Sequence, residues 1–534
     1  MSTKATTDGA GAAAGSSPGR TPSAGRWWSL AGLCLASAIV WYAAACLPVA
    51  TPAIADDIGG TVTALQWANT IFTLATGALV IAAGRLGDIF GRRRVLDIGL
   101  LVFAAGSVLA ALAHGTPALI GGRAVMGVAA AAILPATLAI IPIEFHGRER
   151  VTAFSVWMAT AGVGQAAAPA ISGALTTAFG WQAVFWVNVP LCLGVLVLVW
   201  RTTPESRDET AGRSVDVAGL ATIAAGLIAL MYALNEGPVR GWTSPVILGA
   251  LAAAVVLVVA CVLIERRVRE PLIDLALFKR RSFDGALIDN FVFNLTLAGT
   301  MYVLALYLEE VRGYEPLRAG LLLLPSTVGM LALIPLGARL ELHRGPRLPI
   351  AAGTIVMGVG TVMVGILVKE TPYWWLAVGM LVQGLGIGLL STPLGDTAVG
   401  LSPPRESGAA SGAFKMSSMV GGAFGVAVLG AIYQGFQLGR LKAEAAAAVL
   451  SAEDRARVQQ AFQGSAQAKA VYQSLAADVR AAVHEVVTDA LALGIGNALK
   501  VAAAFTVLAL VAVMLLVPKG VIHQDEEAGQ DAGS

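Results

Sequence analysis

The sequence carries few charged residues for its length. Of its 534 residues only 13% are Asp, Glu, Lys or Arg, whereas 56% are hydrophobic. Soluble proteins carry about 25% charged residues, so this composition excludes an ordinary soluble domain and favours many membrane spans. Strand-type alternation of apolar and polar residues is also absent, which argues against an outer-membrane barrel. The sequence therefore predicts an all-α integral membrane protein.

Signatures of enzymes and ATP-driven pumps are also missing. No Gly-x-x-x-x-Gly-Lys-Ser/Thr phosphate loop occurs, which disfavours ATP-driven transport. Five histidines are scattered over loops and four cysteines fall inside apolar runs, without the spacing of metal ligands. We therefore expect no enzyme activity, no cofactor and no metal.

Fourteen apolar runs are long enough to cross a bilayer, which takes about 20 residues each. They lie near 28–50, 63–83, 95–113, 117–142, 153–175, 183–200, 216–235, 245–264, 283–307, 317–336, 348–368, 374–399, 410–436 and 495–517. An even number of spans places both ends of the chain on the same side of the membrane.

Lysine and arginine are distributed unequally between the two sides. The short loops on one side hold only Arg240, Arg312, Arg318 and Lys369, while the other side and the tails hold most of the rest. Because basic loops stay in the cytoplasm, this predicts a multi-pass protein with both termini cytoplasmic. The bias toward Ala, Gly and Arg over Lys suggests a high-GC bacterium, and hence a bacterial plasma (inner) membrane. Basic residues confined to membrane edges also exclude nucleic acid as a partner.

The stretch 84–94, GRLGDIFGRRR, separates two long apolar runs and combines glycines, arginines and one acid. A connection this short must turn sharply, which glycine permits, and its arginines keep it out of hydrocarbon. Asp88 lies where the following helix offers a partly positive N-terminus, which we expect it to contact. An ordinary basic loop would explain the arginines but not the Gly-x-Leu-x-Asp-x-x-Gly-Arg-Arg frame.

That frame resembles the signature loop between helices two and three of the major facilitator superfamily of transporters. The matching positions are Gly84, Leu86, Asp88, Gly91, Arg92 and Arg93. The resemblance implies a gating role for Gly84, Asp88, Gly91, Arg92 and Arg93. It also implies the major facilitator fold, with two six-helix bundles plus two extra helices.

The domain organisation follows from that fold. We predict a disordered cytoplasmic tail (1–27), an N-terminal six-helix bundle (28–200), a linker with extra spans 7 and 8 (201–282), a C-terminal bundle (283–517) containing a long extracytoplasmic loop (437–494), and a cytoplasmic tail (518–534). A weak repeat, GARLELHRGPR at 337–347, follows span 10 as GRLGDIFGRRR follows span 2. In this comparison Glu341 does not occupy the position of Asp88.

Further motifs narrow the resemblance to the fourteen-span drug:proton antiporters of this superfamily. Span 4 is similar to a family motif whose arginine, here Arg123, is held to lie near the substrate cavity and to take part in proton coupling. The helix-five antiporter motif is matched by Gly162, Gly164, Pro169 and Gly173. One position departs: Ala43 stands where the family usually has an Asp in span 1, which leaves the usual proton site without its acid.

Two charged residues inside predicted spans are coupling candidates, because a charge in hydrocarbon costs at least about 2.5 kcal/mol. Arg123 could be a counter-charge for a proton-accepting acid, or a structural residue bonding carbonyls or the Asp56–Asp57 pair. Asp289 could load and unload a proton, or pair with Arg280 or Arg281 near the inner interface. Asp396, close to the end of span 12, is better interpreted as a helix-end acid.

Neutral polar and aromatic side chains in the spans could line a substrate cavity. The candidates are Gln66, Trp67, Gln165, Asn294, Tyr302 and Gln383, together with Trp41 and Trp157. Each polar one could instead form an ordinary contact between helices, and aromatic residues near span ends suit the membrane interface.

These observations predict a secondary active transporter that exports small amphipathic compounds, such as drugs, by alternating access and proton antiport. The expected partners are the amphipathic substrate, protons and the lipid bilayer, with the protein acting as a monomer. Two alternatives stay open. One is a lipid or hydrophobic-metabolite exporter or facilitator without proton coupling; the other is a membrane scaffold or sensor that transports nothing.

Overall fold

A computed structural model describes residues 23–58, 62–207, 217–267, 277–308, 312, 314, 316–367, 372–403, 406–447 and 477–520. The tail up to residue 22, parts of both linker segments, the middle of the predicted outer loop and the tail from 521 lie outside the described residues. The predicted disorder of the N-terminal tail therefore falls almost wholly outside them.

All regular structure in the described ranges is helical. The first half comprises α1 (Ser23–Ala45), α2 (Leu47–Ile58), α3 (Val62–Phe90), α4 (Arg92–Ala111), α5 (Thr116–Glu144), α6 (Gly147–Phe179), α7 (Ala183–Trp186) and α8 (Asn188–Thr202). Then follow α9 (Val217–Arg240) and α10 (Pro245–Glu265). The second half comprises α11 (Arg281–Leu306), α12 (Pro316–Leu322), α13 (Leu324–Arg344), α14 (Arg347–Leu367), α15 (Tyr373–Gly395), α16 (Ser407–Ala447) and α17 (Ala477–Leu516).

Thirteen helical segments in the described residues are long and apolar enough to cross a membrane. The predicted span at 153–175 corresponds to α6, which is not among the thirteen although it has 33 residues. At 1.5 Å per residue α6 is about 50 Å long, well over the roughly 30 Å of a bilayer core. The count of fourteen spans stays a prediction.

The break between α1 and α2 is stabilised by a neighbouring helix. Cys46 separates α1 from α2, and its freed carbonyl accepts a hydrogen bond of 2.7 Å from the Ser172 hydroxyl of α6. Both groups are buried, so this bond satisfies a carbonyl that lipid cannot hydrate. Ser172 therefore has a structural role here.

The extra helices α9 and α10 lie beside the two halves as an outer pair. α9 packs against α3 and α16, and α10 packs mainly against α9. Only 17% of the apolar window of α10 is buried, and Val255 and Val256 are each more than 60% exposed. Exposed aliphatic side chains at this density suit contact with lipid chains.

Helical structure continues into both ends of the predicted outer loop, 437–494, whose boundaries stay a prediction. α16 continues without interruption to Ala447, and α17 begins at Ala477. Both membrane helices thus extend into the segment, as its alanine-rich sequence favours. Residues 448–476 lie outside the described ranges.

Candidate functional site: a central cavity and the contacts that close it

The chain turns sharply at the end of α3. A single residue, Gly91, separates α3 from α4, and its φ of 110° lies in the left-handed region that favours glycine. The ends of α3, α5, α13 and α15 meet on this side of the molecule, which we call the arginine face. The contacts of the stretch 84–94 show how the two halves join there.

Asp88 joins the two halves by capping a helix of the opposite one. Its carboxylate accepts hydrogen bonds of 2.9 Å from the backbone N–H groups of Gly408 and Ala409, in the first turn of α16. It also accepts bonds of 3.0 and 2.6 Å from the Arg92 guanidinium. Both side chains are buried, so a carboxylate at a positive helix end and a guanidinium stabilise each other away from water.

The expected helix partner of Asp88 was wrong. Its carboxylate contacts the N-terminus of α16, and the N-terminus of α4 is capped instead by Glu205, which follows α8. The backbone N–H groups of Arg93 and Arg94 each donate to a Glu205 oxygen at 3.2 Å. Arg93 also pairs with Asp97 at 3.5 Å.

Gly84 allows α3 and α16 to approach at this point. A Cβ at position 84 would overlap the carbonyl oxygen of Gly408, so only glycine fits without moving the helices apart. Two hydroxyl bonds then fasten α16 to α5: Ser407 donates to the Ala139 carbonyl and Ser411 to the Pro135 carbonyl. The arginine face is therefore closed by contacts between the halves.

A second ionic contact crosses the same interface. Arg150, in the first turn of α6, donates to Asp396, just past α15, at 2.8 Å, and both side chains are buried. Glu341 of α13 is buried beside Asp396 and close enough to Arg150 to interact electrostatically. The helix-end interpretation of Asp396 fits this position, but its partner comes from the other half.

The register of the internal repeat also needs correction. Gly337 packs against the backbone of α15 at Leu389, as Gly84 packs against that of α16. Counted from these two glycines, Glu341 and Asp88 both come four residues later. The prediction that Glu341 does not occupy the position of Asp88 is therefore wrong.

Replacing Arg150 with Met is expected to destabilise the protein. It would leave Glu341 and Asp396 buried together with the guanidinium removed, and losing one partner of a buried ion pair costs about 3–5 kcal/mol. We expect a lower thermal midpoint in detergent for Arg150→Met and partial recovery when Asp396→Asn is added. The control is Arg26→Met, because Arg26 pairs with the half-exposed Glu149 and should change the midpoint little. Equal midpoints for both single variants would contradict the assignment.

A cavity of about 520 Å³ lies between the halves. It is lined by α1, α3 and α6 on one side and by α11, α13, α15 and α16 on the other, and α9 adds Asn235. The lining is mostly apolar and aromatic, with neutral amides from Asn69, Gln165, Asn290 and Asn294. Such a mixture suits small amphipathic molecules.

Lys415 of α16 is the one ionisable side chain in the cavity lining of the described residues, and the sequence analysis overlooked it. Its Nζ lies 4.6 Å from the ring centroid of Trp157, 5.5 Å from that of Trp41 and 5.6 Å from that of Phe414. A charge inside a membrane helix costs about 2.5–3.5 kcal/mol or more. A desolvated cation–π contact stabilises the charge by about 2 kcal/mol and so offsets part of that cost. The criterion applied to Arg123 and Asp289 would have found it, because it is a lone cation inside a predicted span.

Some of the predicted cavity residues line the cavity and others do not. Gln165 and Asn294 line the cavity, as do Trp41 and Trp157. Gln383 does not: it is fully buried between helices, and its amide donates to Thr300 and Thr361.

Two other predicted cavity residues, Trp67 and Tyr302, are not in the lining. Trp67 packs its ring against Tyr232 of α9, with 6.1 Å between centroids. Tyr302 lies against the hydrophobic cluster near the opposite ends of α11 and α16, beside Gly430. The side chain of Gln66 lies outside the described residues.

Arg123 is fully buried and bonded to neutral groups. It donates to the carbonyls of Ala68 and Ala43 at 3.1 and 2.9 Å and to the amide oxygen of Asn69 at 2.9 Å. Its guanidinium also lies 4.3 Å from the centroid of the Phe72 ring. Ala43 is the position where an acid was expected, so Arg123 bonds its backbone instead. Two of these partners, Asn69 and Phe72, line the cavity.

The alternative acidic partner of Arg123 is engaged elsewhere. Asp57 accepts hydrogen bonds from Trp181 and Gln182 at 2.8 and 3.1 Å. Of the two structural interpretations of Arg123, the geometry therefore matches the one in which it bonds backbone carbonyls.

Asp289 is fully buried in α11 and faces α14. Its two carboxylate oxygens lie 3.0 and 3.2 Å from the Thr354 hydroxyl. Among the described residues it forms no ion pair, and in particular none with Arg280 or Arg281. The next residue, Asn290, lines the cavity and donates to the Phe414 carbonyl. A buried acid with one hydroxyl partner is therefore adjacent to the cavity wall.

The predicted helix-five motif lies in the middle and far part of α6. Gly164 packs against the backbone of α1 at Ala38, and Gly162 contacts Met330 of the opposite half. Pro169 lies inside the helix, which continues past it to Phe179. Gly173 approaches Val49. These glycines let α6 lie close to α1 while it also forms one wall of the cavity.

Helices of membrane length, two halves around a polar–apolar cavity and a charged closure at one face together define an integral membrane transport protein. The model of the Major Facilitator Superfamily matches residues 33–426, and the chain belongs to that family. It is thus a multi-pass membrane transporter and not an enzyme.

Curated relatives and solved structures agree with this assignment. The quinolone resistance protein NorB of Staphylococcus aureus strain MRSA252 is 33% identical over 407 residues, which cover 76% of this chain and 88% of the relative. The human organic anion transporter MFSD10 has a TM-score of 0.61 at 13% identity, over 92% of this chain and 100% of that one. The proton:xylose symporter XylE has a TM-score of 0.60 at 14% identity, over 95% and 99%. The two structures show the shared fold.

Proposed function

We propose that this transporter exports small amphipathic drugs, quinolones among them, in exchange for protons. The observation that carries the proposal is the cavity between the halves, closed at the arginine face by Asp88 on the α16 N-terminus. Supporting it is the similarity to a curated relative whose name records quinolone resistance. Rocking of the two halves would break this closure and open the cavity toward the arginine face.

We further propose that the arginine face is cytoplasmic, in a bacterial plasma membrane, with both termini on that side and the protein acting as a monomer. The support is the positive-inside distribution of lysine and arginine. In this orientation the described conformation is closed to the cytoplasm.

Asp289 is the proposed proton carrier. A carboxylate buried without an ion-pair partner in the described residues is disfavoured as an anion, so it gains a proton readily. The next residue, Asn290, lines the cavity, so a substrate that binds or leaves there can alter the surroundings of Asp289. Arg123, which bonds neutral groups, is better assigned to supporting Asn69 than to carrying charge.

A facilitator without coupling is the second candidate, favoured by the bond from Arg123 to the Ala43 carbonyl where an acid was expected. Proteoliposomes distinguish the two. With a quinolone at equal concentration on both sides and an imposed proton gradient, an antiporter accumulates the drug on one side and moves protons in return, as a pH-sensitive dye reports. Downhill drug flux without proton movement would identify a facilitator, and no flux of any amphiphile or lipid would support a scaffold.

Gly84→Val is expected to lower export about tenfold or more while the protein still inserts. The β-branched side chain would overlap the Gly408 carbonyl and hold the arginine face apart. The measurement is drug efflux from cells that lack other pumps, normalised to membrane content. Gly249→Val in α10 is the matched control, because a Cβ there meets no atom within 4 Å. Wild-type efflux by the Gly84 variant would refute the need for this close approach.

A further inference from the structure

We propose that Lys415 is the anion-recognition point of the cavity, and that the preferred substrates carry a carboxylate or similar anionic group on a flat aromatic body. This proposal rests on the proposed drug-export function and narrows its substrate class.

Lys415 reaches across the interface between the halves. It belongs to α16, whereas Trp41 and Trp157 belong to α1 and α6 of the first half. The indole of Trp157 is itself fixed by a hydrogen bond of 3.2 Å from its Nε1 to the Thr137 hydroxyl. The lysine therefore loses its two indole contacts whenever the halves separate at this level.

The cavity offers this ammonium group no anion of its own. Lys415 is 5% exposed and forms no hydrogen bond or ion pair within the described part of the chain. The cavity lining contains no Asp or Glu, and Asp289 faces α14 instead. Aromatic faces stabilise a cation without forming directional hydrogen bonds, so the ammonium donors remain available.

A bound carboxylate would complete this arrangement. It would accept charge-assisted hydrogen bonds from Lys415 Nζ while its aromatic body lies against Trp41, Trp157 and Phe293. The amides of Asn69, Asn290 and Asn294 are neutral and do not distinguish substrates by their charge. Lys415 is therefore the residue of the lining that discriminates between anionic and cationic substrates. A cationic amphiphile would place a second positive charge beside it and bind more weakly.

The test compares one quinolone bearing its free carboxylate with its methyl ester. Equilibrium binding to the purified full-length protein is followed by tryptophan fluorescence. We expect the wild type to bind the acid about tenfold or more tightly than the ester. Lys415→Met should remove that preference and leave ester binding within about twofold. Lys415→Arg should retain most of the preference, because a guanidinium also binds carboxylates.

Lys500→Met is the matched control, since Lys500 is exposed on α17 and outside the cavity, and it should bind both compounds as the wild type does. Equal loss of acid and ester binding in Lys415→Met would mean that the lysine only packs the cavity, and an unchanged acid preference would remove it from recognition. Either result overturns the proposal. If the acid preference depends on Lys415 but proteoliposomes export neither compound, the export function fails and the recognition site stands.

Discussion

Asp289→Asn is expected to abolish uphill export while leaving downhill flux intact. Asparagine keeps the shape of the side chain and can still accept the hydrogen bond from Thr354, but it cannot bind a proton. One charge crossing 100 mV contributes about 2.3 kcal/mol, so a singly coupled wild type could sustain roughly a fifty-fold drug gradient. The variant should sustain none. The measurement is the steady-state drug ratio across proteoliposomes at a fixed membrane potential.

Asp284→Asn provides the matched control for that experiment. Asp284 lies in the first turn of the same helix and is partly exposed, so its neutralisation should leave the gradient near the wild-type value. Preserved downhill flux in Asp289→Asn shows that the protein is folded. A wild-type gradient in that variant, or loss of both uphill and downhill flux at normal yield, would refute its role as the proton carrier.

Asp88→Asn should have the second large effect, a loss of transport of about tenfold or more with normal membrane insertion. The amide oxygen can accept from one of the Gly408 and Ala409 N–H groups but cannot neutralise Arg92, which stays buried. Breaking a buried ion pair costs about 3–5 kcal/mol, which would shift the closed arginine face toward open by at least about a hundredfold. Efflux normalised to membrane content measures the loss.

Glu149→Gln is the control for Asp88, because Glu149 is an acid on the same face whose partner, Arg26, belongs to the same half. We expect its efflux to match the wild type. Unchanged efflux in Asp88→Asn would mean that the contact with α16 does not control opening. Equal losses in both variants would point to general charge at this face rather than to the helix cap.

Local features of the arginine face could be predicted from the sequence, but their partners could not. The glycine turn and the grouping of Asp88 with Arg92 follow from spacing and from backbone chemistry. The N–H groups that Asp88 binds belong to Gly408 and Ala409, 320 residues along the chain, and only the packing of α3 against α16 brings them together. Glu205 was missed for the same reason, because no local pattern links it to the start of α4.

The cavity was predicted less well, for a reason specific to membrane helices. Gln165 and Gln383 both lie in helices that contain several glycines, yet Gln165 faces the cavity and Gln383 faces neighbouring helices. In lipid both the protein interior and the surroundings are apolar, so hydrophobic periodicity does not mark the inward face of a helix. Helix rotation is set by close contacts, such as that of Gly360 with the backbone at Gln383.

The central claim is that the two halves move apart at the arginine face during transport. Spin labels at Arg148→Cys in α6 and Arg344→Cys in α13 report this directly, because both positions are exposed on that face and belong to opposite halves. The four native cysteines are buried, which limits labelling elsewhere. Pulsed electron spin resonance in lipid nanodiscs should show a short and a long distance between the labels. Asp88→Asn should increase the fraction of molecules that show the long distance. A single distance that responds neither to substrate nor to Asp88→Asn would contradict the account.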